Sequence, residues 1–195
     1  MIENWFSTPI YFVYADKDFE SIQQEISNKI NAIEDQSCNT WAEKINTTFD
    51  DDKNDIYFFQ LKHLQKFIIE HVNLYAEHCG YNGYTPVISK SWTNFNNPND
   101  FQFSHSHDND KAIISGTYYY KTNQNDGDIV FETPNILMEA KKFPSRSSFD
   151  TVQYSPEIGK LLLFPSWLKH KVQPNQTQDT RISISFNIEW SKLYE

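Results

Sequence analysis

From Thr85 onward the chain is a succession of short runs rich in Val, Ile, Tyr and Phe, each cut off by Gly, Pro or Asn. The runs are Thr85 to Phe95, Phe101 to His107, Ala112 to Tyr120, Asp128 to Glu132, Thr151 to Tyr154, Lys160 to Phe164, Lys169 to Val172 and Arg181 to Trp190. A parallel α/β sheet needs a helical crossover between strands, and no helical spacing separates these runs. Eight strands in about 110 residues therefore predict an antiparallel sandwich or jelly roll.

The preceding residues read differently. Ile10 to Tyr14, bounded by Pro9 and Ala15-Asp16, is an opening strand. Phe19, Ile22, Ile26, Ile30 and Ile33 recur at three and four residues, which predicts an amphipathic helix from Asp18 to Ile33. Leu61, Leu64, Ile68, Val72 and Tyr75 share one face of a second helix, Ile56 to Cys79, which Gly80 ends. The two apolar stripes need a partner, so the helices are expected to pair and brace one outer face of the β core. The expected organisation is one domain, 1–195, with the strand and bracing helices in 1–80 and a mainly β jelly-roll core in 81–195. The polar stretch from Cys38 to Asp55, with Asp50, Asp51 and Asp52 in a row, reads as a solvated loop rather than a cation site.

Composition narrows the partners. Hydrophobic residues are 38% of the chain, below the usual globular share, but aromatics are 16% and bury large areas, so a stable core needs no staples. A net charge of −9 opposes binding to nucleic acid or anionic lipid. Cys38 and Cys79 are too few for a disulfide framework. The N-terminal residues have no basic region, and Pro9 and Asp16 break their apolar stretch. No segment approaches the roughly 20 apolar residues of a membrane helix. A soluble, cytoplasmic protein without a membrane partner is expected, so the sequons at Asn46 and Asn175 are read as chance.

The last run carries the most chemistry. Arg181, Ser183, Ser185, Asn187 and Glu189 alternate with Ile182, Ile184, Phe186, Ile188 and Trp190, so one face of that strand is wholly polar. In Phe101 to His107 the same alternation puts Phe101, Phe103, His105 and His107 on one face, and His-x-His is ligand spacing for a metal. His170, at the start of a later strand, can complete three converging imidazoles in a jelly roll. His63, His71 and His78 lie on the second helix and read as structural. A three-His set suits either a zinc site that activates water or a non-haem iron site with open positions. Arg181 tips this choice towards iron, because a guanidinium inside a barrel needs an anion and Ser183 lies beside it on the same face.

Three stretches, HSHDND (His105 to Asp110), ISGTYYY (Ile114 to Tyr120) and LLLFPSWLKHKVQPNQTQDTRISISFN (Leu161 to Asn187), make the chain resemble the 2-oxoglutarate and iron(II)-dependent oxygenase superfamily. The similarity is greatest to its small members from bacteria and bacteriophages, and it covers Trp92 to Trp190. The resemblance implies a double-stranded β-helix. It also implies iron(II) as the metal, 2-oxoglutarate and O2 as co-substrates, and hydroxylation of a substrate C–H bond with decarboxylation to succinate. Carried over, His105 is the first metal ligand, His170 the distal one, Arg181 the clamp on the co-substrate's C5 carboxylate and Ser183 its neighbour. Tyr119 resembles a tyrosine that supports the co-substrate in prolyl-hydroxylase-like relatives. The wider superfamily has Asp or Glu two residues after the first His, where this chain has His107. Either His107 completes a three-His site, or Asp108 or Asp110 supplies the carboxylate. Strand alternation favours His107.

Trp92, Asn94 and Trp167 are expected near the mouth as substrate contacts. The loop from Thr133 to Asp150, with Lys141, Lys142, Pro144 and Arg146, has the length of a lid and reads as solvated. Two alternatives stand beside the oxygenase: a zinc-dependent hydrolase or lyase on the same histidines, and a non-enzymatic cupin-like binding module. A protein side chain is one expected substrate class. The sequence names neither the substrate nor the oligomeric state.

Overall fold

The alternating and helical runs become discrete elements in the computed structural model, which describes residues 7–30, 45–49, 60–81, 83–107, 111–135 and 150–192. In chain order these are β1 (Tyr11–Tyr14), α1 (Phe19–Ile30), β2 (Asn46–Thr47), α2 (Lys62–His78), β3 (Tyr84–Asn96), β4 (Gln102–His105), β5 (Ile114–Lys121), β6 (Ile129–Glu132), β7 (Thr151–Tyr154), β8 (Lys160–Pro165), β9 (His170–Val172) and β10 (Arg181–Lys192). Each strand expected from the sequence is present, and β2 is an addition. Cys38, the run Asp50 to Asp52, Asp108, Asp110 and the basic part of the Thr133–Asp150 loop lie outside the described residues, as do the expected helix ends at Ile33 and Ile56.

The second helix stops where Gly80 was expected to stop it. Gly80 takes φ +77°, a conformation that costs glycine little. Its N–H donates to Glu77 O (3.1 Å), and the Tyr81 N–H reaches back to Ala76 O (2.9 Å). This pair of bonds is a Schellman motif, which satisfies carbonyls that the helix end would otherwise leave bare.

Two antiparallel sheets form the body. The larger has the order β1-β8-β5-β10-β3-β2 and the smaller β4-β9-β6-β7. This is the double-stranded β-helix in the jelly-roll class that the strand pattern predicted. One core lies between the helices and the larger sheet. There Ile22 and Ile26 of α1 and Leu64, Ile68 and Val72 of α2 meet the apolar side of β10, namely Ile182, Ile184, Phe186 and Ile188. The helices thus brace the outer face, and β10 turns its polar side inward. A second, smaller core between the sheets contains Ile129, Phe131, Leu162, Phe164 and Leu168.

Gly116, in the middle of β5, is hemmed in by its neighbours β8 and β10 in the larger sheet. A Cβ there would stand 2.4 Å from Phe186 Cζ and 2.7 Å from the Leu162 carbonyl oxygen, and a backbone atom cannot rotate away. Gly116→Ala is expected to destabilise the fold by about 3 kcal/mol, read as a lowered urea midpoint; a midpoint within error of the parent would contradict this packing.

Candidate metal centre and co-substrate pocket

The polar face of β10 meets a cavity of about 190 Å³ instead of solvent. Strand register explains what surrounds it. Arg181 pairs with Asn96; Ser183 lies between Asn94 and Tyr119; Ser185 lies between Trp92 and Thr117; and Asn187 lies between Lys90 and Ser115. Directly paired residues point to the same face, so β3 and β5 add polar side chains to the β10 row. Arg181, Ser183 and Asn187 are all buried. Polar groups removed from water in this number need partners, either in the protein or in a ligand.

Three imidazoles meet at one end of the row. One ring nitrogen from each of His105, His107 and His170 lies within 4.8 Å of the other two. The ring centroids are 4.4 Å apart for His105 and His170, 5.2 Å for His107 and His170, and 5.5 Å for His105 and His107. Each ring is anchored through Nδ1. His105 Nδ1 lies 2.8 Å from Phe103 O, His170 Nδ1 lies 2.9 Å from Leu168 O, and His107 Nδ1 lies 2.8 Å from Asn187 Oδ1. A carbonyl or amide oxygen only accepts, so Nδ1 carries the proton in the neutral ring and Nε2 carries the lone pair. Burial, reinforced by the two neighbouring imidazoles, holds His170 well below the ordinary histidine pKa, so it is neutral and a ligand-competent base at pH 7.

The Arg181 guanidinium is enclosed, with 2% of its surface exposed. Nη1 donates to Gly127 O (2.7 Å) and lies 3.4 Å from Asp126 O, while Nη2 donates to Asn96 Oδ1 (2.7 Å). All of these acceptors are neutral, and Nε, although buried, has no partner. Among the described residues no carboxylate comes within ion-pair distance of it. Burial lowers its pKa, opposed by the fields of Tyr119, Asp126 and Asp128, yet a guanidinium remains charged. The Tyr119 ring lies beside it, 6.0 Å from centroid to the guanidinium carbon. Burial pushes the Tyr119 hydroxyl up to about 12, so it stays a proton donor. Arg181, Tyr119 and Ser183 all line the cavity.

The sequence-predicted residues distribute unevenly. His105, His107, His170, Arg181, Ser183, Tyr119, Trp92 and Asn94 share this one cavity. Trp167 does not line it; it is 47% exposed in the turn after β8. The strand argument for His-x-His also needs correction. Strand β4 ends at His105, and its pairing with β9 slips between Gln102 and His105. That irregularity shifts the alternation, so Gln102 joins the lining and Phe103 stands 57% exposed. His107 reaches the site from beyond the strand, with its N–H donating to Ser166 O at 2.8 Å.

Ile45, Thr47 and Phe49, from and around β2, form part of the wall and were not singled out from the sequence. Thr47 Oγ1 donates to Asn94 Oδ1 (2.8 Å), and Asn94 Nδ2 donates to Ser185 Oγ (3.1 Å). Phe49 meets Trp92 edge-on at 4.9 Å, and Trp92 lies 5.5 Å from the His107 ring. An aromatic wall therefore runs from the surface to the imidazoles.

Comparison with known proteins agrees with this geometry. Residues 90–187 match the profile of the family described as "Putative 2OG-Fe(II) oxygenase". That span contains the three histidines, Tyr119, Arg181 and Ser183, and the chain belongs to this family of 2-oxoglutarate and iron(II)-dependent oxygenases. No curated protein sequence matches it. Among solved structures, a Pseudomonas putida prolyl-4-hydroxylase is similar at TM-score 0.63 and 12% identity, over 94% of this chain and 93% of that one. A Trichoplax adhaerens prolyl hydroxylase, solved with a peptide of the hypoxia inducible factor oxygen degradation domain, gives 0.58 and 15%, over 92% and 83%. HygX from Streptomyces hygroscopicus, with nickel and 2-oxoglutarate bound, gives 0.60 and 11%, over 93% and 83%. At these identities the likeness is one of fold.

Proposed function

We propose that this oxygenase hydroxylates a C–H bond of its substrate, with His105, His107 and His170 holding iron(II), and Arg181, Tyr119 and Ser183 holding the C5 carboxylate of 2-oxoglutarate. The observation that carries the reading is Arg181: a buried cation with only neutral acceptors and an unpartnered Nε, in the same cavity as three imidazoles. An uncompensated buried charge costs several kcal/mol, about the worth of an anion bound there. A zinc-hydroxide hydrolase has no use for such a dicarboxylate clamp.

The donor set suits both groups. Three neutral imidazoles are borderline ligands appropriate to a first-row divalent ion. The cationic fork, the phenol held protonated and the Ser183 hydroxyl are all donors, as a carboxylate requires. When bound, iron(II) and 2-oxoglutarate supply the oxidising chemistry: one atom of O2 enters the substrate as hydroxyl, the other enters succinate, and the keto acid also releases CO2. The chain's own part is positioning. Arg181 fixes one end of the co-substrate, while Phe164 and Val172 help keep water from the cavity beside His170. Trp92, Phe49 and Asn94 offer the substrate an apolar face and an amide near His107. A protein side chain is the substrate class supported by the fold likeness to two prolyl hydroxylases, one of them solved with a peptide.

Anaerobic reconstitution with iron(II) followed by titration with 2-oxoglutarate tests the reading. The expected result is a visible metal-to-ligand charge-transfer band that saturates at one equivalent, followed by succinate formation on admitting oxygen. Stoichiometric iron with no band at saturating 2-oxoglutarate would overturn it.

A further inference from the structure

His107 differs from the other two imidazoles in how it is held. His105 and His170 each take a backbone carbonyl two residues earlier, Phe103 O in β4 and Leu168 O in the turn before β9, so the local chain places both. His107 lies past the end of β4, and its Nδ1 meets a side chain from another strand, Asn187 Oδ1 at 2.8 Å. Ser115 Oγ, on β5, lies 2.7 Å from the same amide oxygen and 3.2 Å from His107 Nδ1. It also lies 2.9 Å from Ser166 Oγ, and the carbonyl of Ser166 accepts the His107 N–H. Asn187 is 2% exposed and Ser115 is 1% exposed, so both side chains that face His107 Nδ1 are themselves removed from water. Asn187 and Ser115 are directly paired in the regular part of the β5–β10 register, which puts their side chains on one face.

We propose that Asn187, supported by Ser115, is the positioning residue for His107: it retains the Nδ1 proton and fixes the ring so that the Nε2 lone pair faces His105 and His170. The inference rests on the three-His reading above and extends it to groups that touch no metal. An amide does this without adding negative charge. A carboxylate at the same place would raise the basicity of the imidazole, as in carboxylate–histidine–metal triads. The sequence therefore keeps the third ligand neutral twice over, with His at 107 and Asn behind it.

Cobalt(II), followed by its visible d–d bands on the full-length protein, is the probe. Asn187→Leu keeps the branched side-chain shape but removes the acceptor, and is expected to weaken cobalt binding 10- to 100-fold with an altered d–d envelope. Asn187→Asp keeps an acceptor oxygen and is expected to bind at least as tightly as the parent, a rescue that a merely structural role would not give. Ser115→Ala, which leaves Asn187 in place, is expected to weaken binding several-fold; it decides the matter if the leucine variant does not fold. Parent-like affinity and spectrum in Asn187→Leu, or in Ser115→Ala where that variant decides, would overturn the proposal. His170→Ala run in parallel separates the two readings. If it abolishes cobalt binding while Asn187→Leu does not weaken it, only the positioning role fails. If it binds cobalt like the parent, the three-His centre fails and the proposal with it.

Discussion

Replacing His170 by alanine is expected to abolish stoichiometric metal binding, and with it 2-oxoglutarate turnover, while the protein remains folded. The ring is enclosed by Phe164 at 4.8 Å, Phe131 at 5.9 Å and His105 at 4.4 Å, and it lines the same cavity as Arg181. With His105 and His107 alone, the site offers two imidazoles from one short segment, and two neutral ligands do not retain a divalent ion at micromolar concentration. The structural cost is smaller: deleting the ring leaves a cavity beside Phe164 and removes a bond to Leu168 O, about 2 to 3 kcal/mol together. His170→Gln, which keeps volume and polarity, guards against confusing a folding defect with a lost ligand. Metal content by elemental analysis, with circular dichroism and a thermal melt, makes the measurement. A folded His170→Ala protein that still carries one iron per chain would remove His170 from the centre.

Much of this architecture was legible because β10 alternates without interruption for ten residues. Period-two patterning fixes which side chains share a face, so once Ile182, Ile184, Phe186 and Ile188 face the helices, Arg181, Ser183, Ser185 and Asn187 must face the other way. What the alternation does not specify is whether the other side is solvent or a second sheet. His105 and His170, with Arg181, supplied that information, because inward cations and imidazoles make sense only around a ligand.

The parts that were not legible depend on register between distant strands or on local breaks in the pattern. Strand β2 is two residues long in a polar stretch, and it is recognisable only through its pairing of Thr47 with Asn94 across 47 positions. Phe103 was expected beside His105, but the irregularity in β4 turns it outward and brings Gln102 in. Trp167 is three residues from His170 in sequence, yet a tight turn in which Leu168 N–H bonds Pro165 O leaves it facing away from the cavity. Asn187 belonged to a recognisable polar face; its contact with His107 requires the β5–β10 register and the position of Ser166, neither of which a linear pattern encodes.

Arg181→Met is expected to raise the 2-oxoglutarate KM, and the anaerobic dissociation constant with it, by roughly 150-fold, while metal affinity changes less than about threefold. The magnitude follows from losing charge-assisted bonds to one carboxylate, about 3 kcal/mol in all, converted at 1.4 kcal/mol per tenfold. The separation of effects follows from the structure: none of the Arg181 hydrogen bonds goes to a histidine, since its partners are Gly127 O, Asp126 O and Asn96 Oδ1. Stability is governed by two opposed terms. Methionine removes a buried charge whose desolvation the fields of Asp126 and Asp128 offset only in part, which favours the variant. It also strands Gly127 O and Asn96 Oδ1 without donors, which disfavours it by about 1 to 3 kcal/mol each. Because these nearly cancel, the thermal midpoint of the ligand-free protein should move little, and the stabilisation that saturating 2-oxoglutarate gives the parent should vanish. Arg181→Lys keeps the charge but not the fork, and it is expected to fall between the two, nearer methionine. Equal loss of metal and co-substrate binding in Arg181→Met would show that the arginine holds the site together instead of reading the carboxylate.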